Sequence, residues 1–113
     1  MEQVELKGTL PVALKVLVGQ NVIVSKDIIM RQMTAIEYLQ AQSNVAAGQF
    51  ISIADLASMT KLVAEDGSEH GISYDMLGHS SRANLDYLSN LREELDAKER
   101  ADNIALEQES SEP

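Results

Sequence analysis

Residues 80–98, SSRANLDYLSNLREELDAK, have a pattern that fits one kind of element only. At helical pitch Asn84, Leu85, Tyr87, Leu88, Leu91 and Leu95 share one side, whereas Arg82, Asp86, Glu93 and Asp96 fall mostly elsewhere. Ser80 or Ser81 offers an N-cap oxygen, and neither Gly nor Pro interrupts the chain before Pro113. The stretch is an amphipathic helix whose leucine stripe requires a cover, which the rest of the chain must supply. Beyond Leu95 the stripe lands on Lys98, Glu99 and Asp102, so its buried part ends near Leu95. Ala101, Ile104, Ala105 and Leu106 stay helix-compatible, which predicts an extension that frays from Glu107 to Pro113.

Upstream of this helix the apolar period changes. Val4, Leu6 and Lys7 alternate into Gly8, and Val12, Leu14, Val16 and Val18 alternate against Ala13, Lys15 and Leu17. Gly19-Gln20-Asn21 is a turn by composition and Val22-Ile23-Val24 resumes the β-branched pattern, so a hairpin is expected from Val12 to about Met30. Pro11 cannot donate to a ladder and is expected to separate a first strand from that hairpin. Thr34-Ala35-Ile36-Glu37 is a capping box, opening a helix with Ala35, Ile36, Leu39 and Ala46 on its apolar side and Gly48 at its end. Ser52-Ile53-Ala54-Asp55 repeats the cap logic for a second helix to about Ala64, with Ile53, Leu56, Ala57, Met59, Thr60 and Val63 as its stripe. Residues 65–71 read as a loop, and Ser73 to Leu77 as about one helical turn. The expected fold is α+β, an N-terminal β-hairpin or small antiparallel sheet followed by a three- to four-helix bundle. Residues 1–97 form one compact domain in this reading, and residues 98–113 an acidic helical extension with a disordered tail.

Totals narrow the function. A chain of 113 residues has room for one modest core, built from Leu, Ile, Val, Ala and Met because aromatic residues make up 4%. Net charge is −9, yet up to Lys61 five bases (Lys7, Lys15, Lys26, Arg31, Lys61) balance five acids (Glu2, Glu5, Asp27, Glu37, Asp55). The excess therefore lies in the second half, which disfavours a nucleic-acid backbone as partner. Without cysteine there are no disulfides, thiolate sites or cysteine nucleophile. MEQVELKG lacks the basic and hydrophobic regions of a secretion signal, and no apolar run reaches the roughly 18 to 20 residues of a membrane span, so an intracellular protein without a membrane partner is expected.

Chemistry-bearing motifs are missing: no GxGxxG, P-loop, GxSxG or HExxH occurs. Residues 65–70 hold carboxylates and His70, but not at EF-hand or zinc spacing, and His79-Ser80-Ser81 is a helix start rather than a nucleophile and base. No metal, cofactor or catalytic residue is expected. The surplus is amphipathic surface, which either closes into a monomer or leaves a groove for a partner helix.

The hairpin start, the Arg31-Gln32-Met33-Thr34-Ala35 entry into a helix containing Glu37 and Leu39, the short helix through Leu56, the polar loop, and the Tyr74-Asp75-Met76-Leu77 turn before the Asn84 to Leu95 helix resemble the small tail assembly chaperones of Mu-like and P2-like contractile-tailed phages. The segment between Pro11 and Gly19 is longer than that family's usual link. The resemblance implies a non-enzymatic protein of the host cytoplasm that binds the helical tape measure protein during tail assembly and leaves before the virion is complete. Under this reading the partner-binding groove is lined by Leu39, Leu56, Met59, Tyr87, Leu88, Leu91 and Leu95, with self-association through any stripe left uncovered. A tail structural subunit, with the β-rich N-terminus as assembly edge, and an acidic regulator mimicking nucleic acid are the competing readings.

Overall fold

A computed structural model describes residues 4–110, with side chains through residue 103. Strands β1 (Glu5–Val18) and β2 (Asn21–Arg31) form an antiparallel pair joined by Gly19 and Gln20. Gly19 has φ 62°, and no described non-glycine residue has positive φ, which fits a type II′ turn with glycine at its first central position.

The expected break at Pro11 is corrected, because β1 runs through it. Pairing proceeds from Glu5↔Arg31 to Thr9↔Asp27 and resumes at Leu14↔Ser25, so residues 10–13 stand opposite Lys26 alone. Pro11 thus sits in a bulge where no ladder hydrogen bond is asked of it.

Two further strands escape the periodicity. The second helix stops at Met59 rather than Ala64, and Thr60-Lys61-Leu62-Val63 forms β3 (Thr60–Val63) against β2, while part of the expected loop forms β4 (Glu69–Gly71). Four alternating residues after a helix are too few to show a change of period, and β2 decides the matter by offering an edge at Ile28 to Met30. The sheet order is β1-β2-β3-β4 in an α+β fold.

Helix α1 (Ala35–Ser43) starts with the expected capping box: Glu37 N donates to Thr34 Oγ1 (3.2 Å) and Thr34 N donates to Glu37 Oε1 (3.0 Å). It ends at Asn44, short of Gly48. Helix α2 (Ile51–Met59) begins after Phe50 without a side-chain cap, and Asp55, expected at its start, is instead buried. Helix α3 (Tyr74–Gly78) is capped by Ser73, whose Oγ accepts from Met76 N at 3.1 Å. Helix α4 (Arg82–Ser110) begins at Ser81, whose Oγ accepts from Ala83 N at 3.2 Å. It is helical to Ser110, in keeping with the absence of a helix breaker from ADNIALEQES; residues 111–113 of the expected tail lie outside the described residues.

The core forms where α4 lies on the sheet. Leu88, Leu91 and Leu95 pack with Leu10, Leu14, Val16, Ile28, Met30, Leu62, Leu56, Met59 and Leu77. Each such side chain contributes about 1.5–3 kcal/mol of burial. Polar groups of the same helix seal β1: Val12 N donates to Asn84 Oδ1 and Asn84 Nδ2 donates to Val12 O, both at 3.0 Å. Thr9 N donates to Tyr87 OH and Lys98 Nζ donates to Glu5 O, again at 3.0 Å. The bulge and the strand edge beside it find in α4 the partners that a further strand would otherwise supply.

Candidate interaction surfaces

The structure divides the seven residues expected to line a partner groove. Leu56, Met59, Leu88, Leu91 and Leu95 are buried in the core, so the expectation that they line an open groove is corrected. Their stripes face the sheet and one another, since two strands absent from the expected fold enlarge the surface they cover. Tyr87 is half-buried against this core and its hydroxyl is committed to Thr9. Leu39 alone is open to solvent, at 61% exposure.

Around Leu39 the expected apolar side of α1 is uncovered. Only Ala41 of this helix is buried, while Ile36 is 68% exposed and Tyr38 also lies open. Ile36 and Leu39 are three residues apart and share a face. At the start of α2, Phe50 and Ile51 are exposed at 66% and 52%. Phe50 N donates to Tyr74 OH at 2.7 Å, which anchors the backbone while its ring remains outside. A bulky apolar pair just past Gly48-Gln49, at the start of a helix, was the sequence signal for this surface.

A second apolar surface lies at the far end of the hairpin. The pairs Leu17↔Val22 and Lys15↔Val24 place these side chains on the face opposite buried Leu14 and Val16, and Leu17, Val22 and Val24 are exposed. Nearer the body the same outer face is charged. There Arg31 Nε meets Glu5 Oε2 at 2.9 Å, and its Nη1 and Nη2 meet Glu69 Oε1 and Oε2 at 2.6 and 2.9 Å. This bidentate pairing holds the Glu69 carboxyl below its ordinary range and raises the guanidinium. A strand apolar on both faces normally has two covers, and the hairpin end has one.

Asp66, Ser68 and His70 are tied to one another by hydrogen bonds. Ser68 Oγ donates to Asp66 Oδ1 (2.6 Å) and lies 2.9 Å from His70 Nε2. With its only proton on Asp66, the serine leaves His70 to act as donor, the reverse of what nucleophile activation needs. Asp66 is held below the usual carboxylate range chiefly by these Ser68 hydrogen bonds. Buried Asp55 Oδ2 lies 3.6 Å from Arg92 Nη1 and links α2 to α4. Among the described residues no three His, Cys, Asp or Glu side chains gather as a metal site, and no helix is long and apolar enough to cross a membrane.

No protein-family model, curated protein or solved structure matches the chain.

Proposed function

We propose that this chain is a non-enzymatic tail assembly chaperone of a contractile-tailed phage, which binds a helical segment of the tape measure protein in the host cytoplasm. The observation that carries the reading is the uncovered apolar row of α1, Ile36 and Leu39, in a molecule of net charge −9 in which Phe50 and Ile51 at the start of α2 are exposed as well. A row at helical spacing can take the apolar side of another helix, while the surplus negative charge opposes nonspecific aggregation. The binding surface proposed is therefore α1 and the start of α2, with the α4 leucines as the core beneath.

Co-expression with the tape measure protein of the same phage tests it. The wild-type chain should raise that protein's soluble fraction, and Ile36→Asp with Leu39→Asp should remove the gain without lowering the chaperone's own melting temperature. An unchanged soluble fraction with wild-type chain would sink the reading. The exposed hairpin end favours one alternative, a tail structural subunit, for which the chain would be found in purified particles. Self-association through the α1 face is expected as well, and a strict monomer across a wide concentration range in sedimentation would oppose it.

A further inference from the structure

We propose a second binding site, separate from the α1 face: a groove beside the hairpin that takes an extended, basic peptide strand as an added partner of β2. The groove has a volume of about 420 Å³ and lies between Val18, Asn21, Val22, Ile23 and Val24 on one side and Ala64, Glu65 and Asp66 on the other.

Its β2 wall is an open edge. β3 pairs with β2 only from Ile28 to Met30, and Ser25 Oγ donates to Val63 O (2.6 Å) where β3 ends. The chain then turns away, with Gly67 N donating to Ala64 O at 2.9 Å. Because the two-residue turn closes on the Val18↔Asn21 pair, Asn21 and Ile23 direct their backbone groups to β1. Val22 and Val24 direct theirs into the groove. A strand laid there would continue the line of β3, adding main-chain hydrogen bonds to an existing sheet.

The opposite wall selects the charge. Glu65 and Asp66 are exposed, and Asp66 is kept ionised by its Ser68 hydrogen bonds. Residues 10–26 contain Lys15 and Lys26 and no acid, so the carboxylates of this groove come from the turn alone. An incoming strand with alternate apolar and basic side chains would set one row on the exposed valines and the other near the carboxylates.

The test uses the full chain and two fluorescent seven-residue peptides, one alternating valine and lysine and one alternating valine and glutamate. The lysine peptide should bind, about tenfold tighter than its counterpart and more weakly in high salt. Amide resonances of residues 21–24 and 64–66 should shift. Val22→Pro, which deletes a groove-facing N–H and no ladder bond to β1, should weaken binding about tenfold. Glu65→Lys, which leaves the backbone intact, should reverse the peptide preference and decides the matter alone if the proline variant fails to fold. The proposal is overturned by no binding, by binding unchanged in both variants, or by shifts located on α1. Self-association of the wild-type chain that Val22→Pro abolishes would also overturn it, since a second copy would then be the occupant.

Discussion

Asn84 illustrates how one side chain can stand in for a strand. Its two hydrogen bonds satisfy both backbone groups of Val12, in a bulge that the sheet cannot pair. Asn84→Leu keeps the helix but strands both groups, and should cost about 1–3 kcal/mol in urea unfolding. Tyr87 makes a related demand on Gly8, where an added Cβ would overlap the Tyr87 hydroxyl and lie 3.1 Å from its Cζ. Gly8→Ala should therefore destabilise by about 1–3 kcal/mol, and by less in a Tyr87→Ala background, so a double-mutant cycle will show coupling. Both residues were legible as members of the helical stripe, since their spacing shows which way they face. Their hydrogen bonds were not, because the partners are more than 70 positions away.

At the scale of elements, the sheet is clamped on its outer face by Glu5, Arg31 and Glu69, which tie β1, β2 and β4 together. The Glu69 carboxyl is depressed below its ordinary value of 4.5, so its contribution is complete at neutral pH, where the carboxylate is ionised folded and unfolded alike. It is lost as pH falls below that ordinary value and through the lowered one. Arg31→Met should lower the melting temperature at pH 7, and wild type and variant should converge under acid. The Thr34–Glu37 capping box was readable because its partners are three residues apart; Thr34→Ala should cost about 1 kcal/mol, seen as faster amide exchange confined to α1. β3 and β4 were not readable. Four and three residues carry too little periodicity, and a strand of that length exists only when a neighbouring edge receives it.

For the whole molecule, the informative division is between apolar residues that are covered and those that are not. Leu88→Ala should lose about 2–5 kcal/mol of stability, as for any large core side chain cut to a methyl. Leu39→Asp should leave stability within about 0.5 kcal/mol, because the side chain it replaces is already in solvent. These two leucines have the same periodic signature. A stripe in a sequence states that a face is apolar and is silent on what meets it.

Local pattern was enough to establish the amphipathic α4 stripe and its end near Leu95, the Thr34–Glu37 box, the hairpin turn at Gly19 and an α+β class, because each depends on residues within a few positions of one another. Only the tertiary structure decided that β1 continues through Pro11, that residues 60–63 and 69–71 join the sheet, and that α1 rather than α4 shows its apolar side to solvent. Those outcomes depend on which surfaces find one another first in burial area and hydrogen bonds, a competition among elements distant in the chain.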